Sequence, residues 1–172
     1  SRSANAKWLT EIAHRNPIWI HTKDAERLGV NNGDLLKITT AIGWFIDKVW
    51  VTEAIKPGVV ACSHHIGRWR RQNDEGNRFM TNTVNIKNLG EGKWKMETIS
   101  GVEPWKTDDP DTNRIWWRDG GVHQNITHAA NPDPISGAHC WLQKVSISKP
   151  EKGEKYGDII VDTNKSFKHF KK

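Results

Sequence analysis

Short apolar runs, each followed by a turn signal, are the main pattern in the first third of the chain. Within residues 44–52 every second position is mainly apolar, and this period of two is typical of a strand with one buried face. We predict strands over residues 18–20, 35–40 and 44–52, and a buried strand over residues 59–62. The pattern therefore indicates a domain that is mainly β.

One short helix interrupts these strands. Residues 23–29 have helical spacing, and we predict that Thr22 caps the start of the helix and that Gly29 ends it. The segment Asn31-Asn32-Gly33-Asp34 is predicted as a tight turn, because Asn and Gly tolerate positive φ, and Gly43 is predicted as a second turn. The helix thus leads through a Gly-Asp corner into a strand that must cross beneath its neighbours.

Residues 120–145 fit neither a helix nor an ordinary strand. Hydrogen-bonding side chains crowd the first half of this stretch, and Pro132 and Pro134 fix φ and remove two backbone donors. Gly137 then permits a turn that other residues resist. Two interpretations stay open at this point: a stiffened loop that holds donors and acceptors against a ligand, or a solvated surface loop.

The pattern weakens between residues 72 and 114, where Gly, Pro and Asp interrupt short apolar pieces. We interpret residues 72–114 as an irregular insertion with some hairpin content, within a domain over residues 1–148. The acidic group at residues 108–111 lacks the spaced ligands of a calcium loop and is interpreted as a turn.

Seven lysines after residue 148 predict a solvated basic tail over residues 149–172.

Composition adds a class of partner and excludes several kinds of site. The net charge of +6 favours an anionic partner. The chain contains ten tryptophans, which suit interfaces, although its mean hydropathy is only −0.73. Because it also begins without methionine, we expect it to be a piece of a larger protein. Cys62 and Cys140 cannot hold an iron–sulfur cluster alone, since that needs about four thiolates. No apolar run approaches the ~18 residues of a membrane-spanning helix, and no secretory signal opens the chain, so the cellular side stays open.

Three segments carry side chains suited to an anionic, partly aromatic ligand. The first lies at the start of the chain, where guanidinium and hydroxyl groups suit phosphate oxygens. The second follows the strand over residues 59–62, and its adjacent histidines would point to opposite faces, which makes them poor ligands for one metal. The third is the loop over residues 120–145. Together they supply the candidate binding residues Arg2, Ser3, Asn5, His64, His65, Gly67, Trp69, Gln124, Asn125 and Gln143.

Several short motifs follow one another in a specific order and spacing over residues 1–70 and 115–147. They are Asn16-Pro17-Ile18-Trp19-Ile20-His21, Asp24-Ala25-Glu26-Arg27-Leu28-Gly29-Val30, Asn32-Gly33-Asp34, Ile55-Lys56-Pro57-Gly58-Val59-Val60, His64-His65-x-Gly67, and Asn125 followed by Asp133-Pro134-x-Ser136-Gly137. In this order they resemble the C-terminal molybdopterin dinucleotide-binding domain of the dimethyl sulfoxide reductase family of molybdopterin oxidoreductases.

The resemblance implies a double-psi β-barrel with short helices that caps a much larger catalytic subunit. It implies binding of bis(molybdopterin guanine dinucleotide) with molybdenum or tungsten, shared with domains absent here. The candidate residues would contact pterin edges and phosphates, and the basic charge would offset the pyrophosphates. The family's metal ligand and cluster cysteines lie in those other domains, so we assign no catalytic or metal-ligating residue and expect no catalysis by this chain alone.

The resemblance also implies partners and a reaction. The partners are an iron–sulfur electron-transfer subunit and the remaining domains of the catalytic subunit. The reaction is a two-electron oxidoreduction of a small substrate, such as a sulfur or arsenic oxyanion. A basic, aromatic-bearing nucleic-acid-binding domain is the alternative, but its stacking residues should interleave with Lys and Arg on one sheet face, and the tryptophans here are scattered. A self-cleaving decarboxylase barrel is disfavoured because the chain contains no Gly-Ser dipeptide.

Overall fold

The structure, a computed structural model, describes residues 15–64, 84–98 and 121–170, together with Leu9 and Ile12. Within these residues eight strands form one mixed sheet: β1 (Ile18–Ile20), β2 (Leu35–Thr39), β3 (Gly43–Val51), β4 (Val60–Ala61), β5 (Val84–Gly90), β6 (Lys93–Thr98), β7 (Ser146–Ser148) and β8 (Ile159–Asp162). Three short helices accompany the sheet: α1 (Thr22–Leu28), a 3-10 helix (Gln124–Thr127) and α2 (Thr163–Phe170). The prediction of a mainly β domain with short helices is confirmed.

The long strand β3 organises the sheet. It pairs with β8 at its start, with β2 over residues 44–48 and with β1 at its end, so that the main path runs β4-β1-β3-β8-β6-β5. The β1–β3 pair is parallel and the other pairs are antiparallel. β2 and β7 lie off this path, where β2 pairs with both β3 and β7.

The helix α1 is confirmed, but its predicted cap is wrong. The start is capped by His21, whose Nδ1 accepts a hydrogen bond from the Lys23 backbone N–H at 3.1 Å. Thr22 is instead the first helical residue, and its hydroxyl donates to the Glu53 carboxylate at 2.5 Å. An imidazole nitrogen thus satisfies the orphan donor that a hydroxyl usually takes. Gly29 ends the helix with a φ of 62°, as predicted.

Two other local predictions are wrong. Gly43 is not a turn but the first residue of β3, where a Cβ atom would lie 2.1 Å from the carbonyl oxygen of Ile160 on β8. Glycine is therefore required by the close approach of two strands. The strand predicted over residues 59–62 shortens to β4, which ends the main path of the described sheet and pairs there with β1. β4 is not the buried strand that the sequence predicts, because Val60 is only partly buried and Ala61 is exposed.

The core lies on the inner faces of the first three strands. Ile18, Ile20 and Leu36 are completely buried, and they form one cluster with neighbours that include Phe45 and Val49. Each such side chain contributes about 1.5–3 kcal/mol when removed from water. This cluster holds the ends of β1 and β4 in place, and the chain that follows β4 begins the candidate site.

The described part of the predicted insertion is a hairpin, in agreement with the expected hairpin content. Strands β5 and β6 pair through a turn at Gly90 and Gly92, and β6 also pairs with β8.

The prediction of a solvated tail over residues 149–172 is wrong. β8 lies between β3 and β6 with Ile159 and Val161 buried, because its run of three apolar side chains outweighs the charge of the flanking lysines.

Candidate functional site

A cavity of about 760 Å³ opens beside β1 and β4 and is lined on its other side by residues 141–147. Its walls are mainly apolar, and its polar lining includes Thr40, Cys62, Gln124, His128 and Gln143. This size and this mixture of apolar walls with a few polar groups are typical of pockets that bind a small molecule or cofactor. The cavity is therefore the candidate functional site.

Asn16 joins the two backbone segments that flank the cavity. Its side chain is 1% exposed, and its Nδ2 donates to the backbone oxygens of Ser63 at 3.0 Å and Val122 at 2.8 Å. Its Oδ1 accepts from the Val122 N–H at 2.8 Å. The carbonyl of Asn16 also accepts from the Cys62 thiol at 2.9 Å. One buried amide thus fixes the chain after β4 against the chain before the 3-10 helix.

The first two residues of the 3-10 helix are oriented by two consecutive carbonyls. Nε2 of Gln124 donates to the Ser63 oxygen at 3.1 Å, and Nδ2 of Asn125 donates to the His64 oxygen at 2.8 Å. A carbonyl can only accept, so each amide must turn its NH₂ group toward the backbone and its oxygen away from it. Both amide oxygens are buried and have no hydrogen-bond partner among the described contacts.

A third amide, that of Gln143, repeats this arrangement on the other side of the cavity. Its Nε2 donates to Nδ1 of His128, and its Oε1 is also buried without a hydrogen-bond partner in the described part of the chain. Buried polar atoms are normally paired, so an acceptor left open at a cavity calls for an explanation. Gln124 and Gln143 line the cavity and Asn125 adjoins Gln124, so the three oxygens at or beside the cavity indicate a ligand that presents N–H or O–H donors.

Trp141 supplies an aromatic surface at the same place. Its ring stacks on His64 with a centroid distance of 4.3 Å and an interplanar angle of 26°. The rings of His128 and His139 meet it edge-on at 5.6 Å and 4.4 Å. Trp141 is nevertheless 45% exposed, which leaves ring surface for a further flat group.

Two titratable groups in the cavity wall have pKa values shifted toward the neutral form. Burial, followed by the field of Asp47, raises the pKa of the Cys62 thiol. Burial, followed by the charges of His139 and His64, lowers the pKa of His128. Both shifts favour the neutral form, a protonated thiol and an uncharged imidazole, while the charged side chains of Asp24, Arg27 and Lys144 also line the cavity.

Four of the ten sequence-predicted residues meet at this site: His64, Gln124, Asn125 and Gln143. The other six, Arg2, Ser3, Asn5, His65, Gly67 and Trp69, lie outside the described residues. Asn16, His128 and Trp141 were not predicted as site residues. The signal for Asn16 was its place before Pro17 at the start of a strand, which appeared only as one piece of the family pattern.

The site offers hydrogen bonds and an aromatic face rather than metal ligands. In the part of the chain that the structure describes, no group of three or more His, Cys, Asp or Glu side chains is arranged to hold a metal ion. No helix among the described residues has the length and apolarity needed to cross a membrane. A half-exposed indole, apolar walls and three open acceptors fit a flat heterocycle with N–H groups at its edge.

Comparison with known proteins gives one family and several relatives. Residues 1–93 match the family described as "Molydopterin dinucleotide binding domain". The chain is 35% identical over 111 residues to the molybdopterin-containing subunit of the arsenate respiratory reductase of Chrysiogenes arsenatis, which covers 60% of this chain and 12% of the relative. It is 34% identical over 68 residues to a chain of the tetrathionate reductase of Archaeoglobus fulgidus, covering 40% of this chain and 6% of the relative.

A third relative is the putative dimethyl sulfoxide reductase catalytic subunit of Halobacterium salinarum, 32% identical over 76 residues, with 44% of this chain and 9% of the relative covered. The chain therefore spans about a tenth of the length of these relatives. The family match covers more than half of the 172 residues and includes Asn16, β1 to β4 and His64. The resemblance seen in the sequence is confirmed, and the chain belongs to the molybdopterin dinucleotide-binding domain family.

Proposed function

We propose that this chain holds bis(molybdopterin guanine dinucleotide) as one domain of a larger molybdenum or tungsten oxidoreductase. The observation that carries the proposal is the set of three buried amide oxygens, on Gln124, Asn125 and Gln143, that have no hydrogen-bond partner among the described contacts. A pterin carries ring N–H groups and an exocyclic amino group, which are the donors that such oxygens require. Its flat bicycle also suits the ring surface of Trp141.

We propose that the remaining candidate residues contact the phosphates of the cofactor. Arg2, Ser3 and Asn5 supply guanidinium, hydroxyl and amide donors, and His65, Gly67 and Trp69 follow His64 closely in the chain. The net charge of +6 offsets the pyrophosphates of a dinucleotide. When bound, the metal coordinated by the pterin dithiolenes supplies two-electron redox chemistry, while this chain's residues bind and orient the pterin.

We further propose that the domain is a double-psi β-barrel that caps a larger catalytic subunit. The parallel β1–β3 pair beside antiparallel neighbours, and the helix that leads through a tight turn into β2, support this architecture. The short span of the chain relative to its relatives supports a domain of a larger subunit. An iron–sulfur subunit is the proposed electron partner.

The proposed substrate of the parent enzyme is a sulfur or arsenic oxyanion. Two of the relatives are an arsenate and a tetrathionate reductase, and these names support the class of substrate. Initial rates of the full enzyme with arsenate, tetrathionate and dimethyl sulfoxide, each with a reduced dye as electron donor, test this point. A rate with dimethyl sulfoxide alone would contradict the oxyanion proposal and leave the cofactor proposal standing.

Cofactor content of matched variants tests the binding proposal. Asn125→Leu in the full enzyme should lower pterin and metal content about tenfold, because a hydrogen bond to a buried acceptor is lost. Asn164→Leu is the matched control: its Nδ2 also donates to a backbone carbonyl at 2.8 Å, but at the hairpin turn between β5 and β6. Full pterin content in Asn125→Leu would remove this residue from the site.

Chemical analysis of the released cofactor tests the finer claims. Acid hydrolysis should release guanosine monophosphate, two per metal atom, and metal analysis should find molybdenum or tungsten. Another nucleotide would contradict the guanine form without affecting the pterin site. Absence of any pterin from the unmodified enzyme would overturn the proposed function.

A further inference from the structure

Asn16 shares the Ser63 carbonyl with the Gln124 amide and does not itself line the cavity. It is 1% exposed and uses both polar atoms of its amide group on backbone atoms at 2.8–3.0 Å. Those partners, Ser63 and Val122, are far from Asn16 and from each other in sequence. A side chain that joins three distant backbone segments in this way fixes their relative positions.

The Ser63 carbonyl connects Asn16 to the open acceptor of Gln124. This oxygen receives two amide donors, Nδ2 of Asn16 at 3.0 Å and Nε2 of Gln124 at 3.1 Å. Asn16 also holds Val122, two residues before Gln124, through a pair of hydrogen bonds. The position of the carbonyl and the start of the 3-10 helix are therefore both set by one buried amide.

We propose that Asn16 is a positioning residue for the cofactor, acting through the Ser63 carbonyl to hold the Gln124 amide with its oxygen facing the ligand. This inference rests on the proposed function. Without Asn16, the Ser63 carbonyl and the Val122 N–H lose buried partners and shift to find others. Gln124 follows the carbonyl to which its NH₂ group is bonded, and the acceptor moves away from the bound N–H donor.

A double-mutant cycle on the full enzyme separates this role from a merely structural one. The readouts are the rate of pterin release, followed by fluorescence of the oxidised pterin, and the melting temperature of the cofactor-free protein. Asn16→Ala should release pterin about tenfold faster. In a Gln124→Met background the same change should alter the release rate by less than about twofold, since the acceptor that Asn16 positions is already absent.

The melting temperature should show the opposite dependence on Gln124. Asn16→Ala should lower it in both backgrounds, and by more in Gln124→Met, because the Ser63 carbonyl then loses both of its amide donors. Thr163→Val serves as the stability control: its hydroxyl donates to the Gly92 carbonyl at 2.7 Å, away from the cavity. It should lower the melting temperature and leave pterin release unchanged.

Asn16→Asp is the second variant, for use where the alanine protein does not fold. It keeps an oxygen for the Val122 N–H but replaces the donor to Ser63, and it should give the same dependence on Gln124. Release rates that multiply in the double variant, or release from either Asn16 variant as slow as from the unmodified enzyme, would overturn the positioning role. Those outcomes leave the proposed function intact, which fails only when the unmodified enzyme contains no pterin.

Discussion

Two lysines of the sheet and three amides of the loop region over residues 124–143 are hydrogen-bonded in different ways. In the sheet, Lys37 pairs with Glu154 at 2.5 Å and lies over the Trp44 ring at 4.3 Å, and Lys95 lies between Glu97 and Asp158. In the loop, each of three buried amides pairs its nitrogen and leaves its oxygen open among the described contacts. The first arrangement stabilises the fold by itself, whereas the second is complete only with a ligand.

Breaking the Lys37 ion pair should give the largest effect on stability. Lys37→Met keeps the aliphatic stem over Trp44 but leaves the Glu154 carboxylate, 14% exposed, without its cation. We expect the free energy of unfolding to fall by about 3 kcal/mol, with unchanged pterin content in the protein that remains folded. Denaturant unfolding measures the change in free energy, and cofactor analysis measures the pterin content.

The matched control for this pair is the double variant Lys37→Met/Glu154→Leu. It replaces both charges by apolar groups and should recover most of the lost stability, since the penalty comes from the uncompensated carboxylate. Loss of pterin from Lys37→Met without loss of stability would contradict the distinction between the two regions.

Two glycine-to-alanine substitutions, one in the sheet and one in the loop, compare the backbone requirements of the two regions. Gly43→Ala on β3 should cost about 2 kcal/mol, because its Cβ would lie 2.1 Å from a backbone oxygen of β8. Gly137→Ala in the loop meets no atom within 4 Å, and its φ of +69° should cost only about 1 kcal/mol. Equal losses in denaturant unfolding would show that close strand packing is not what requires Gly43.

Acid should lower the stability of the folded protein through protonation of His128. We expect this effect to be smaller than those of the Lys37 and glycine substitutions. Burial lowers the pKa of this imidazole below its ordinary 6.5, so the unfolded chain binds the proton more readily than the folded one. The contribution of the neutral His128 imidazole to the stability of the folded protein is therefore fully present above pH 6.5 and is lost as the pH falls below this value. His128→Asn should remove this part of the pH dependence of the melting temperature.

His139→Asn is the control for the pH experiment. His139 is exposed and contacts the same Trp141 ring, but burial is the first cause of the His128 shift and the charge of His139 only the second. This variant should therefore keep most of the pH dependence. A pH profile that disappears in His139→Asn and persists in His128→Asn would reverse the assignment.

The sequence predicts the local structure well where one residue determines it. Gly29 and the Asn31–Asp34 turn follow from backbone preferences, and the strands 18–20 and 35–40 follow from apolar runs. The prediction for Gly43 is wrong because a glycine needed for close strand contact looks the same in sequence as one in a turn. β8 was missed because its apolar run is only three residues long and is flanked by lysines, and such a short run is recognised as a strand only with its neighbours.

For the candidate site, too, the sequence predicts some of the residues and misses those that only the fold brings together. Crowded amides pointed to Gln124 and Asn125, and the position after a strand pointed to His64. The carbonyls of Ser63 and His64 could not be predicted as their partners, because every residue has a carbonyl and only the fold selects which ones face an amide. Asn16 and Trp141 reach the site over long sequence separations, and one sequence carries no record of such pairs.

The place of β8 between β3 and β6 has a consequence for synthesis on the ribosome. Gly43 pairs with Val161, so the sheet cannot close until residues near Asp162 have left the exit tunnel. Until then β3 and the β5–β6 hairpin each carry an unpaired edge, the kind of surface that joins other chains. A nascent chain paused before β8 should therefore depend on a chaperone, while one that has passed it closes the sheet and protects both edges at once.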